Sequence, residues 1–224
     1  MKKRYLFAAA VAAMLSMSSC SGFLDTKPDT LLTQDQTFGD PELVKSVLAN
    51  FYGRVTIGQR IDDWDQWTML DEVIHYDTND DQNIDRNKWR NYDYTLVHDL
   101  NQFLEAIKPS AAVDEATKTA YMGEVRYIRA WLYFCMGRTL GGVPIVGDQV
   151  FDYTPGMDIT TLQVPRSTEE ALYDYVISEC QEAARMLTKD TNRNSARANY
   201  WVAKMLEALS LIHISEPTRL RCIS

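Results

Sequence analysis

Chemistry-capable side chains are densest between Ile61 and Arg90, where I-D-D-W-D-Q-W is followed by D-E-V-I-H-Y-D-T-N-D-D-Q-N-I-D-R-N-K-W-R. Aromatic rings stack on the apolar faces of a pyranose, and carboxylates, amides and guanidinium groups bind its hydroxyls, so this mixture suits carbohydrate. Two other chemistries fit less well. Asp77, Asn79, Asp81, Asn83 and Asp85 alternate as in a calcium loop, but Gln82 stands where the sharp turn needs Gly. Lys88 occupies the place of the closing bidentate Glu, so a solvated acidic loop is expected and no metal. Asp62, Asp65, Asp71 or Glu72 could pair for glycoside hydrolysis, yet acids this numerous pair by chance and none is marked as desolvated. His75, His98 and His213 form no recognisable triad with a serine. Binding without catalysis, and without a cofactor, is the expectation.

The elements around this stretch read as helices. Asp40 can cap a helix over Pro41–Gln59, with Pro41 in its first turn and Leu43, Val47, Phe51 and Val55 as its stripe, Leu48 and Ala49 beside it. Tyr94 to Lys108 is a second helix, closed by Pro109, with Leu96, Leu100, Phe103, Leu104 and Ile107 on its buried side. A third opens at Asp114 and runs over about 115–139. Val125, Ile128, Trp131, Leu132 and Cys135 make its buried face, extended by Tyr121 and Leu140, while Glu124, Arg126 and Arg129 are placed on a polar flank. Ala130 lets another helix approach. Gly141 and Gly142 end this helix, and Pro144 keeps V-P-I-V extended.

An irregular segment, 147–164, precedes V-P-R-S-T-E-E-A, where Ser167 and Glu170 are spaced as a capping box. Ala171, Leu172, Val176, Ile177, Cys180, Ala184 and Leu187 follow at helical spacing, to about Thr188. A last helix carries Tyr200, Val202, Ala203, Leu206 and Ala208. Cys135 and Cys180 fall at core positions on separate helices. Buried thiols are expected there, with a disulfide the alternative in an oxidising compartment.

The run E-V-R-Y-I-R-A-W-L-Y-F followed by G-G-V-P-I-V resembles the central signature of the SusD/RagB family of outer-membrane glycan-binding lipoproteins. P-R-S-T before a helix is similar to the family, as is the spacing of Tyr94, Val97 and Asn101, although Asn101 is expected to bond to backbone inside the stack. Asp71-Glu72 resembles the acidic pair ahead of the family's ligand loop, and Trp89 approximates the aromatic that closes it. The resemblance implies glycan contacts at Tyr76, Arg86 and Trp89, with Trp67 and His75 behind them. Each aromatic could instead serve the core. An all-α fold is implied, a superhelix of tetratricopeptide-like helical hairpins, here truncated, with long irregular surface loops at 61–90 and 147–166 that carry recognition. The implied function is to capture oligosaccharide and deliver it to a SusC-type, TonB-dependent transporter. A helical protein–protein adaptor without glycan binding is the alternative, and a glycoside hydrolase a lesser one.

Lys2, Lys3 and Arg4 precede an apolar run from Tyr5 to about Leu15, too short to span a bilayer and arranged as a secretory signal. Ser18 and Ser19 before Cys20 resemble a lipobox, with Met17 where Leu is commoner. Residues 1–19 are thus expected to be a lipoprotein signal, Cys20 the lipidated residue, 20–40 a tether and 41–208 the helical domain. A surface-exposed, lipid-anchored place on the outer membrane follows. The formal net charge of −8 becomes −11 once the three basic residues of the leader are lost, which argues against nucleic acid as a partner. Leu209 to Arg219, L-S-L-I-H-I-S-E-P-T-R, resembles one reading frame of a transposon-end sequencing adapter, so 209–224, Cys222 included, is expected to be non-native.

Overall fold

The computed structural model describes residues 32–55, 92–190 and 196–215. They form α1 (Gln34–Phe38), α2 (Pro41–Arg54), α3 (Tyr94–Ala106), α4 (Glu115–Leu140), a 3-10 turn (Ile159–Leu162), α5 (Glu169–Met186) and α6 (Tyr200–Ser215). Among the described residues there is no strand, only an isolated antiparallel bridge between Pro144 and Arg166. The all-α expectation holds. Of the first unit, residues 1–36, the described part is the start of α1, where Gln36 N–H donates to Thr33 Oγ1 at 3.3 Å. The packing below lies within the second unit, 37–224.

Local capping sets the helix starts. Asp40 accepts from the N–H groups of Glu42 and Leu43, and Pro41 needs no donor partner in the first turn. Asp93 accepts from Leu96 N–H, and Asp114 accepts from Thr117 N–H. α2 stops at Arg54, short of the expected Gln59, because Val55 turns extended while its N–H still closes on Phe51 O. Its buried stripe is Val44, Leu48, Phe51 and Val55; Leu43 and Val47 sit at its edge. Phe51 and Phe38 both meet Phe103 edge-on, at 5.6 and 5.4 Å between centroids. Each such ring buried stabilises by about 1.5–3 kcal/mol.

α4 is the centre of the fold. It packs along α5, and α2 and α3 also lie against it. A Cβ at Gly123 would stand 2.9 Å from Met186 Cβ, and one at Gly137 would stand 3.0 Å from Leu172 Cδ2. Two glycines fourteen positions apart therefore let α5 close on α4 in antiparallel sense, a role not read from the sequence. α5 and α6 make the next antiparallel pair, with Tyr173 stacked on His213 at one end and Lys189 over Tyr200 at the other.

Three expectations are corrected here. Glu124 and Arg129 do not lie on a polar flank: they are 4% and 0% exposed, because α4 is covered on nearly every side. The expected capping box of Ser167 and Glu170 gives way to a simple N-cap one residue later. Thr168 is the N-cap, its Oγ1 accepting from Ala171 N–H, since Ser167 donates its own hydroxyl and N–H to Val143 O. Ala208 is exposed, and α6 turns Ala203, Leu206 and Ser210 inward instead. Cys135 and Cys180 are buried and not joined in a disulfide, and burial, followed by Glu207 and Glu179, pushes the Cys180 thiol up to about 12. No helix among the described residues is long and apolar enough to cross a membrane.

Candidate functional site

Tyr76, Arg86, Trp89, Trp67, His75 and Cys20 lie outside the described residues, as do the alternating Asp77–Asp85 run and the carboxylates Asp62, Asp65, Asp71 and Glu72. What the structure gives is the frame on both sides of that stretch. Arg54, at the end of α2, pairs with Asp99 of α3 at 2.5 Å and with Asp93 at 3.9 Å, so the residues before and after the stretch are tied together. Tyr92 and Tyr94 meet edge-on at 4.9 Å just beyond it. Tyr94 reaches Tyr133 at 6.4 Å, and Tyr133 reaches Tyr175 at 5.1 Å.

Beneath this frame lies a buried ionic hub. All five N–H donors of Arg129 are used. Nε donates to Glu179 Oε2 at 3.0 Å, and Nη2 donates to Glu179 Oε2 and Asp148 Oδ1, each at 2.6 Å. Nη1 donates to Asn101 Oδ1 at 2.6 Å and to Gly147 O at 3.1 Å. Arg126 completes the arrangement, reaching Glu179 Oε1 at 2.7 Å and Asp148 Oδ2 at 3.3 Å. Burial works against the Arg129 charge, yet Glu179 and Asp148 outweigh it and hold the guanidinium further above its ordinary value. Burial likewise opposes the Asp148 carboxylate, and Arg129 with Arg126 overrides it, holding that carboxyl below the usual range.

The hub serves a backbone strap, residues 141–149, that lies outside helix and has only the isolated Pro144–Arg166 bridge, so most of its polar groups must find partners elsewhere. Side chains supply them. Asn101 Nδ2 donates to Gly147 O at 2.9 Å and to Gln149 O at 2.7 Å, as the expected backbone role requires. Tyr94 Oη donates to Pro144 O, and Val146 N–H donates to Tyr133 Oη at 3.2 Å. Arg166 clamps Leu140 O and Gly142 O, each at 2.5 Å. Gly141 adopts φ +70°, and a Cβ at Gly142 would fall 1.9 Å from Ser167 O, so neither position tolerates a side chain. α3, α4 and the approach to α5 thus fix the strap from which the loop at 150–162 departs.

A second cluster, built round the buried Glu124, joins distant parts of the chain. Tyr52 Oη donates to Glu124 Oε2 at 2.7 Å and accepts from Ala198 N–H at 2.9 Å, while Arg197 grips Glu124 at 2.9 and 2.5 Å. Burial, then Glu124, pushes the Tyr52 phenol up. Beside it is a cleft of about 470 Å³ lined by Tyr121, Glu124, Asp190, Arg197 and Asn199. Another, of about 510 Å³, lies between Gln181, Arg185, Lys189, Tyr200 and Lys204. Their charges are turned on neighbours: Lys189 on the Tyr200 ring, Lys204 on Glu207, Arg197 on Glu124. Among the described residues no group of three or more His, Cys, Asp or Glu could hold a metal.

Sequence reasoning missed Glu179 and Asp148 as partners of Arg129. A signal existed: Arg129 sits between Ile128 and Ala130 in an otherwise apolar stretch, where a charge needs a buried partner.

Comparison with known proteins gives this architecture a family. The model for SusD-like proteins described as "Starch-binding associating with outer membrane" matches residues 22–206. A SusD-like protein of Bacteroides ovatus is 25% identical over 217 residues, which cover 90% of this chain and 38% of that one. Among solved structures, a SusD-like protein of Bacteroides fragilis superposes with a TM-score of 0.58 at 23% identity, covering 81% of this chain and 39% of that one. Surface glycan-binding protein A of Bacteroides uniformis gives 0.59 at 18% identity, covering 80% and 43%. The chain therefore spans about two fifths of the length of the relatives it matches. With its signature residues holding the strap and its family model matched over most of its length, the chain belongs to the SusD-like family.

Proposed function

We propose that the full-length protein is a lipid-anchored binder on the outer face of the outer membrane that captures oligosaccharide and hands it to a SusC-type, TonB-dependent transporter. The observation that carries this reading is the family match over 22–206, whose description names starch binding and the outer membrane. A structural neighbour named for surface glycan binding is consistent with it. Cys20 would carry the lipid, residues 20–40 would tether the helical body at 41–208, and 209–224 would be foreign to the natural protein.

The mechanism needs no bond made or broken. Trp89, Tyr76 and Trp67 would stack against ring faces, and Arg86 and His75 would bind hydroxyls. The rigid frame matters because side chains already in place lose less freedom on binding. The Arg54 ties to Asp93 and Asp99 would hold the base of this platform steady.

Isothermal calorimetry of the full-length lipoprotein against a panel of neutral oligosaccharides tests the reading. Saturable binding with no released product, weakened at least ~10-fold in Trp89→Ala, is the expected result. Absence of binding to every glycan would favour a protein-only adaptor, and release of shortened sugar would make the protein a hydrolase.

A further inference from the structure

The cleft of about 510 Å³ between the end of α5 and the start of α6 has a lining unlike the rest of the chain. It carries three cations, Arg185, Lys189 and Lys204, and no carboxylate. The sequence as a whole has 31 Asp and Glu against 23 Lys and Arg, so this wall reverses the average charge. The smaller cleft, by contrast, is lined by Glu124 and Asp190.

Acids do stand near these cations. Glu182 pairs with Arg185 and Glu207 with Lys204, yet neither acid lines the cleft. Glu207 is itself buried, its Oε1 accepting from Gln181 Nε2 at 3.0 Å. Both pairs join residues three apart on one helix, a weak kind of contact at a surface, so Arg185 and Lys204 can turn to another anion. Lys189 stands over a ring, with Nζ 4.9 Å from the Tyr200 centroid.

The walls are held by backbone. Leu187 N–H donates to Ala183 O at 2.9 Å and Tyr200 N–H to Thr188 O at 3.0 Å, which fixes the chain on both sides of Lys189. Ala184 and Leu187 add apolar surface to the lining. Trp201, next in the chain and 52% exposed, meets Tyr200 edge-on at 5.0 Å and offers an indole beside it.

We propose that this cleft binds an acidic unit of an oligosaccharide, a uronate or a sulfate ester, in a subsite built from other residues than those at 61–90. Guanidinium and ammonium groups bind either anion, and Gln181 and Tyr200 can serve hydroxyls. Ala184, Leu187 and Trp201 suit the apolar face of a sugar ring, for which a bare anion has no use. The volume is that of a small-ligand site. The proposal rests on the glycan reading above and adds charge to the ligand.

Isothermal calorimetry of the full-length lipoprotein tests it, with trigalacturonate, a sulfated disaccharide, inorganic sulfate and the neutral panel as probes. At least one acidic sugar is expected to bind, and which one identifies the anion. Arg185→Gln/Lys189→Gln should weaken that binding at least ~10-fold while neutral sugars stay within about twofold. Arg185→Lys/Lys189→Arg, which keeps both charges, should stay within about threefold of wild type. Added salt should weaken the acidic sugar and spare the neutral ones. Binding of neutral sugars alone would overturn the proposal and leave the glycan reading standing. Equal affinity for acidic sugar in wild type and the Gln variant would put the contact elsewhere, and would also overturn it. Inorganic sulfate binding as tightly as the sugars would make the cleft an anion patch and nothing more. A wild-type protein that binds no sugar at all defeats the glycan reading and this proposal together.

Discussion

Charged side chains fill the middle of α4, while apolar ones stand in solvent on the loop that α4 holds: Arg129 is fully buried, and Tyr153 is 64% exposed. The two regions are joined through Gly147, whose carbonyl accepts from Arg129. Their difference teaches where the signature of the chain is put to use. The two arginines of the R-Y-I-R run, with Asn101, hold an extended strap whose carbonyls at Gly147 and Gln149 accept from side chains. Tyr153, Met157 and Ile159, which the core does not use, stand outside it.

That contrast can be broken most forcefully at Arg129. Arg129→Leu removes the donor of Glu179 Oε2, Asp148 Oδ1 and Asn101 Oδ1 and leaves Arg126 alone on the two carboxylates, and is expected to destabilise by about 3–5 kcal/mol in urea unfolding of the full-length protein. Arg129→Lys should rescue little, since an ammonium cannot reproduce a five-donor fork. Unchanged stability in both would mean the hub is dispensable.

Gly142→Ala is the next largest, at about 1–3 kcal/mol, because its methyl meets the Ser167 carbonyl and the strap must move. A thermal midpoint equal to wild type would show that the strap yields freely.

Acid supplies the gentlest probe. The Asp148 carboxyl is held below its ordinary value of about 3.9, so its contribution is fully present above that pH and is lost as pH falls through the lower folded value. Stability should decline below about pH 4, and Asp148→Asn should flatten part of that decline. Parallel curves for variant and wild type would remove Asp148 from the account.

Much of the fold was legible in the sequence because periodicity reports burial directly. Leu96, Leu100, Phe103, Leu104 and Ile107 are all buried on α3, as their spacing predicts. Hydrogen bonds to distant backbone are harder to foresee. Ser167 looked like a cap because Glu170 followed it, but Val143 O was the stronger claim on its hydroxyl, and the cap passed to Thr168. Arg129 looked solvated because a one-dimensional pattern assigns a charge to a polar face; only the crossing of α5 brings Glu179 to it. The residues expected to touch sugar fall outside the described residues; the frame beside them, Arg54 with Asp93 and Asp99 and the Tyr92–Tyr94 pair, comes from the structure and was not read from the sequence.

One further consequence concerns time. The Tyr52 hydroxyl receives its hydrogen bond from Ala198, 146 positions later in the chain. A polypeptide emerging N-terminus first, whether from ribosome or translocon, can lay α2 on α3 early, through Phe51 with Phe103 and Arg54 with Asp99, but cannot close the Tyr52 contact until nearly all of the described helices have appeared.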